Sequence, residues 1–217
     1  SLRRLRLVFG QVPVAALKPR HAYRYRDEVT RKHGAASANR DLEVLSHNLS
    51  KAVEWGLIDR NPIKGQVRKN HIERRDRYIE DWELDEALSV ASPTIRAYIQ
   101  IKLLTGLRRG DLLRIRLVDL REDGLHVQTA KTGKRLVIVW TQELRSAVDG
   151  AIETRPTHSS LWLFCNRQGM CYSAANGTAS GFDSLWKRFM SRVLERTKVE
   201  RSFQEKDLRK KTASDMP

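Results

Sequence analysis

Residues 105–120 read TGLRRGDLLRIRLVDL, and the chain changes character across them. Before this stretch, Ser92-Pro93 opens a run in which Ile95, Tyr98, Ile99, Ile101, Lys102 and Leu103 spell a largely buried helix. Thr105-Gly106 breaks it, and a short helix is expected around Gly110–Arg114. After the stretch the apolar period drops to two. Residues 125–129 (LHVQT) and 135–139 (RLVIV) both alternate, and Lys131-Thr132-Gly133-Lys134 lies between them. This is the pattern of a β-hairpin with a glycine-containing turn. A helical segment that gives way to a single hairpin predicts an α+β fold, mainly α, with a small antiparallel sheet.

Helical signals dominate on either side. Toward the C-terminus, Thr141 caps a helix through Leu144 and Val148, Leu161–Phe164 is a short strand candidate, and Phe182–Leu194 forms a helix with an aromatic and aliphatic face. A last helix is expected around Lys206–Ser214. Toward the N-terminus, a helix starts near Asp81 and runs through Leu84, Leu88 and Val90. Residues 64–77 (KGQVRKNHIERRDR) are polar and basic, with little to bury. Before them, Pro19 opens a helix that Gly34 stops. Asn39 is expected to cap a second, with Leu42, Leu45, Leu49, Ala52 and Val53 on one face. The chain also begins within an apparent helix. These signals divide it into a helical domain over 1–66, a linker over 67–77 and a mixed domain over 78–217.

Charge narrows the function. The 217 residues hold 41 Lys and Arg against 26 Asp and Glu, a net +15. Residues 1–70 alone carry 15 against 6, so the smaller segment is the more densely charged. Such a surplus favours a polyanion, and nucleic acid is the first candidate. An anionic membrane surface fits less well, because no strong basic amphipathic helix with an aromatic face is present and no run approaches the ~18 apolar residues of a membrane span. The opening residues carry no long apolar stretch of a secretory leader. Cys165 and Cys171 do not make a disulfide framework, which favours a reduced cytoplasmic setting, and a zinc site would need more Cys or His nearby.

Three basic sites fall on three different elements: Arg108 after the break at Gly106, Lys131 in the hairpin turn, and Arg209 in KDLRKKTASD. Two arginines can hold the non-bridging oxygens of a phosphate through paired hydrogen bonds. A lysine can protonate a leaving oxygen if its neighbours lower its pKa. Sequence alone does not bring the three together, and scattered arginines in a basic protein are commonly solvated. His126 fits a strand surface, Trp162 and Trp186 fit a core, and Lys210 and Lys211 fit a solvated helix face.

The same residues resemble a known family. Gly106, Arg108, Asp111 and Leu112 look like the first arginine box of the tyrosine recombinases, and prophage integrases most of all. The hairpin KTGK looks like that family's lysine-bearing turn, with Lys131 in the catalytic place. Leu208 and Arg209 match its second box. AVEWGLIDRNP, at 52–62, resembles the exit of its helical core-binding domain. The resemblance covers nearly the whole chain, and the three elements come in the family's order. It implies a site-specific DNA recombinase (integrase) that works on double-stranded DNA at an attachment-like site, as a homotetramer, in a bacterial or phage-infected cell. It implies no metal and no cofactor, because a tyrosine attacks the phosphodiester and the 3′-phosphotyrosyl link keeps the ester energy. Arg108 and Arg209 would stabilise the pentavalent transition state, and Lys131 would protonate the departing 5′-oxygen. Asp111 would sit behind Arg108 and orient it, or equally serve its helix as an N-terminal acid.

Two departures stand out. Lys206 occupies the place where the second box usually has histidine, and it would act as a phosphate ligand there. The family pattern continues after this box to the tyrosine, whereas Tyr23, Tyr25, Tyr78, Tyr98 and Tyr172 all precede it. The expectation is therefore a chain that binds DNA without cleaving it, part of a longer protein. Two alternatives stay open: a DNA-binding remnant of a prophage integrase, and a type IB topoisomerase-like enzyme. The helical domain ending in WGLIDRNP favours recombination over the latter.

Overall fold

A computed structural model describes residues 1–73, 76–174 and 176–215. The chain forms two compact units, Ser1–Arg75 and Asp76–Pro217. Of the expected linker, residues 74 and 75 lie outside the described residues.

The N-terminal unit is helical: α1 (Leu2–Phe9), α2 (Pro19–His33) and α3 (Ala35–Glu54). Pro19 sits at the first turn of α2, where its missing N–H costs nothing. Gly34 separates α2 from α3 at φ +83, a conformation that a side chain would strain. Helix α3 thus begins at Ala35, and Asn39 is not its cap. Asn39 is buried, and its side chain pairs with the backbone of Asn70, donating to its carbonyl (2.9 Å) and accepting from its N–H (2.8 Å). The Tyr23 hydroxyl accepts from the Arg68 N–H and donates to the Gln66 carbonyl. Residues 67–70, read from their polarity as the start of the linker, are thereby tied to this unit by hydrogen bonds to the backbone of Arg68 and Asn70, which polarity does not reveal. The core is Leu5, Ala22, Tyr25, Val29, Leu42, Leu45, Leu49 and Ile63. Within it, Asp41 is fully buried and accepts hydrogen bonds from Arg4 (2.9 and 3.1 Å) and the Tyr25 hydroxyl (2.8 Å).

The C-terminal unit runs α4 (Asp81–Ser89), α5 (Pro93–Thr105), α6 (Arg109–Leu113), β1 (Leu120–Arg121), β2 (Gly124–Gln128), β3 (Arg135–Ile138), α7 (Gln142–Glu153), α8 (Ser180–Arg196) and α9 (Glu205–Asp215). Its sheet is antiparallel in the order β1-β2-β3, with Leu125 opposite Ile138 and Val127 opposite Leu136. Leu125 and Val127 face the core while Gln128 faces out, the period-two pattern of the sequence. Helix α5 is central and packs on both α7 and α9. The Thr141 hydroxyl caps α7 as expected, and the Ser92 hydroxyl caps α5. The apolar run at Leu161–Phe164 is not a strand. It makes one bridge, Arg116 to Trp162, and buries Leu163 and Phe164, so burial rather than sheet pairing explains its composition. Strand β1 is too short to leave a periodic signal.

Lys211 is 3% exposed, which corrects the expectation of a solvated position. Its ammonium donates to Asp81 (2.5 Å), Asp215 (3.0 Å) and the Tyr78 hydroxyl (3.1 Å). These acids outweigh the effect of burial and raise its pKa. His126 lies on the sheet surface and contacts Asp123 at 2.8 Å. No helix among the described residues is long and apolar enough to cross a membrane.

Candidate active site

The turn between α5 and α6 is where the first basic residue enters. Helix α5 ends on Gly106 in the left-handed region, φ +59, and the Gly106 N–H closes the helix on the Lys102 carbonyl. Leu107 then points into the core, and Arg108 occupies the N-cap position of α6, with extended backbone. Its carbonyl starts the helix by accepting from the N–H groups of Asp111 and Leu112. The glycine break thus projects the Arg108 side chain from a fixed corner.

Helix α9 meets that corner. Phe203 and Leu208 anchor it in the core, and Thr212 donates to the Leu103 carbonyl of α5 (3.1 Å). Asp207, fully buried, accepts from the Gln204 N–H (2.8 Å) and stabilises the first turn. Lys206 and Arg209 are left on the exposed side.

Between α5, α6, α8 and α9 lies an open cleft of about 550 Å3, lined by Arg108, Arg109, Lys206 and Arg209, with Lys102 in its floor. Five cations share this lining with only two carboxylates, Asp183 and Glu205, so the cleft is electropositive. Arg109 is paired with Asp183 (2.5 Å), and Lys102 with Glu205. The side chains of Arg108, Lys206 and Arg209 have no hydrogen-bond or ion-pair partner among the described residues. Like charges gathered without partners repel one another, and such an arrangement is stabilised by an anion. Trp186 and Phe182 form an apolar wall of the same cleft, packed on Tyr98.

Lys131 does not line the cleft. It is exposed in the hairpin turn between β2 and β3. The turn itself is ordered by hydrogen bonds: Gly133 N–H to the Thr129 carbonyl (2.8 Å), Thr129 N–H to the Lys134 carbonyl (2.9 Å), and the Thr129 and Thr132 hydroxyls together (2.8 Å). Asp111 links the turn to the arginine corner. Its carboxylate, 5% exposed, accepts from the Ala130 N–H at 2.8 Å. Asp111 therefore holds the residue next to Lys131, and no hydrogen bond between it and Arg108 is present among the described residues. The resemblance implies that Asp111 orients Arg108 or serves its helix as an N-terminal acid, and Asp111 does stand in the first turn of α6, but its reach across 19 residues to a hairpin backbone is a tertiary fact.

Three participants were not singled out from the sequence. Arg109 lines the cleft and pairs with Asp183 there. Lys102 was read only as part of a buried helix. It is 1% exposed, and burial pushes its ammonium pKa down, with Arg209 and Arg109 adding to the effect and Glu205 opposing it. Glu205 accepts from the Tyr98 hydroxyl (2.6 Å) as well as from Lys102. A lysine within an apolar helical run was the available signal, because a buried ammonium requires a partner.

Known proteins share this fold and sequence pattern. The family model described as Phage integrase family matches residues 78–217. The integrase of Escherichia phage HK022 is 24% identical over 147 residues, covering 65% of this chain and 40% of the relative. The integrase of Enterobacteria phage 434 is 30% identical over 114 residues, 49% of this chain and 31% of the relative. The chain thus spans less than half the length of these relatives. Among solved structures, a lambda integrase tetramer bound to a Holliday junction superposes with a TM-score of 0.75 at 19% identity, covering 98% of this chain and 61% of that one. The Tn1549 transposon integrase in complex with circular intermediate DNA gives 0.71 at 17% identity, covering 98% and 78%. A family model that matches most of the chain, together with the fold shared with these structures, places it: the chain belongs to the phage integrase family.

Proposed function

We propose that this chain is the DNA-binding and catalytic core of a site-specific recombinase that cuts and rejoins duplex DNA through a 3′-phosphotyrosyl intermediate. The observation that carries the reading is the convergence of Arg108, Lys206 and Arg209, unpaired among the described residues, on one electropositive cleft. The scissile phosphate sits among them. Arg108 and Arg209 donate to its non-bridging oxygens, and their hydrogen bonds strengthen as charge builds in the pentavalent transition state. Lys206 adds a third donor where a histidine is more usual. A tyrosine oxygen attacks phosphorus, the bond to the 5′-oxygen breaks, and Lys131 delivers a proton to that oxygen from the hairpin. No tyrosine lines the cleft among the described residues. Asp111 acts at one remove, as the residue that positions the lysine turn. The N-terminal unit, with 15 Lys and Arg before residue 71, grips the phosphate backbone. Assembly is tetrameric on an attachment-like site, in the cytoplasm of a bacterial or phage-infected cell.

Binding gives the first test. Duplex affinity should fall steeply with salt. If six phosphates are neutralised, the slope of log K against log salt is about −5, since each contact releases roughly 0.9 counterions. An affinity that is flat between 50 and 200 mM salt would remove the phosphate-grip reading. Covalent trapping on a nicked attachment-site substrate, with the full-length protein, separates the recombinase from a DNA-binding remnant.

Asp111 supplies a second test. Asp111→Ala removes the acceptor for the Ala130 N–H and frees the Lys131 turn. Cleavage by the full-length protein is expected to slow about tenfold with duplex affinity unchanged, because one positioning hydrogen bond is worth roughly 1–1.5 kcal/mol. A 5′-phosphorothiolate substrate, whose sulfur leaving group needs no proton, should recover most of the lost rate. Equal slowing on both substrates would show that Asp111 acts through something other than the lysine turn.

A further inference from the structure

Glu205 and Arg209 stand four residues apart on α9, with the acid toward the N-terminus. On a helix surface this spacing and order ordinarily produce an ion pair. Here they do not pair. Glu205 turns inward, where its Oε1 atom accepts from the Tyr98 hydroxyl at 2.6 Å and meets the Lys102 ammonium, while Arg209 keeps no ion-pair partner among the described residues. Tyr98 and Lys102 lie one turn apart on α5, so a single helix face presents both donors. Lys102 is 1% exposed and lies on the buried, mainly apolar face of α5, a costly place for an ammonium without a specific partner.

We propose that Lys102, with Tyr98, is a positioning residue that draws Glu205 away from Arg209 and so keeps the cleft's arginine free for a phosphate. The inference rests on the reading of the cleft as a phosphate site and adds what maintains it. Without Lys102, Glu205 has two fates. It can remain as an uncompensated carboxylate in the cleft floor, or it can rotate onto Arg209 in the default helical pairing. Both place a negative charge where the phosphate must bind. Lys102 touches no substrate in this scheme and acts only through Glu205.

The experiment is a titration of the chain with inorganic phosphate at constant ionic strength, followed by the side-chain Nε–Hε resonances of Arg108 and Arg209. Lys102→Met is expected to weaken phosphate at least about tenfold, equivalent to about 1.4 kcal/mol, and to shift the Arg209 resonance before any phosphate is added. Glu205→Gln should bind phosphate as tightly as the wild type or more so. The double variant K102M/E205Q should recover the wild-type response. Lys198→Met, at an exposed position just after α8, removes the same formal charge and should leave the titration unchanged. If Lys102 and Glu205 were merely mutual anchors, E205Q would weaken phosphate as K102M does and the double variant would not recover, and that outcome overturns the inference. Should K102M fail to fold, the sign of the E205Q effect still decides. A wild-type response retained in K102M overturns the inference alone. A wild-type chain whose Arg108 and Arg209 resonances ignore phosphate overturns the phosphate reading of the cleft and this inference with it.

Discussion

Arg209→Ala in the full-length protein is expected to slow DNA cleavage about a hundred- to a thousandfold while duplex affinity changes only a few-fold. Arg209 lines the cleft beside Arg108 and Lys206 and has no hydrogen-bond or ion-pair partner to lose among the described residues. Its removal therefore leaves no orphaned carboxylate, and the fold should survive. What is lost is a donor aimed at charge that develops on the phosphate oxygens during attack. Removing one such preorganised donor typically costs roughly 2.7–4 kcal/mol of barrier. Binding draws on many phosphate contacts, so the loss of one is diluted there. Arg108→Ala should behave alike. Single-turnover cleavage measured beside fluorescence-anisotropy binding checks both. A parallel fall in cleavage and binding would assign the arginines to general backbone grip rather than to the transition state.

The second large effect is on stability, in the N-terminal unit. Asp41→Ala is expected to destabilise that unit by about 1–3 kcal/mol, chiefly because it leaves the buried Tyr25 hydroxyl without its acceptor while Arg4 stays partly solvated. Burial alone would push the Asp41 carboxyl pKa up. The Arg4 guanidinium and the Tyr25 hydroxyl outweigh it and hold the group at about 2. The same contact, with burial, pushes Tyr25 up to about 12. The pH dependence follows from the sign. An unfolded aspartate titrates near pH 3.9, above the folded value, so the folded state binds the proton less well. Asp41's contribution is complete above about pH 4 and is lost as the pH falls toward 2. Amide exchange in α2 and α3, measured at neutral pH and at pH 3, reads both effects by unit. Wild-type protection should fall between those values, whereas the protection of Asp41→Ala should be low at both. Protection in Asp41→Ala equal to wild type at neutral pH would show that the buried carboxylate is not a stabilising centre.

Much of the secondary structure was legible because its signals are local. The hairpin follows from alternation on both sides of KTGK, α5 from Ser92-Pro93 and the apolar run up to Gly106, and α7 from Thr141. Where local signals were ambiguous, tertiary context decided. Asn39 has the chemistry of a helix cap, yet it lies inside α3 and binds the Asn70 backbone, because Gly34 already supplies the break. Leu161–Phe164 has the composition of a strand, but burial of Leu163 and Phe164 accounts for it as well as sheet pairing would. Lys211 looks like surface until Asp81, 130 residues earlier in the chain, is seen to meet it.

The candidate site divides along the same line. Sequence by itself determined which residue types were available and in what order: a glycine break that exposes Arg108, a lysine in a hairpin turn, and a basic last helix with Lys206 and Arg209. Each is a local pattern, set by backbone geometry and side-chain chemistry within a few residues. Only the tertiary structure decided that Arg108, Lys206 and Arg209 share one cleft, that Asp111 holds the hairpin backbone 19 positions away, and that Glu205 pairs with Lys102 across 103 positions instead of with Arg209 four positions away. The physical reason is that ion pairs and hydrogen bonds depend on distance in space and on burial. Periodicity fixes which face of α5 or α9 a residue occupies, but the packing of the two helices fixes which charge it meets there.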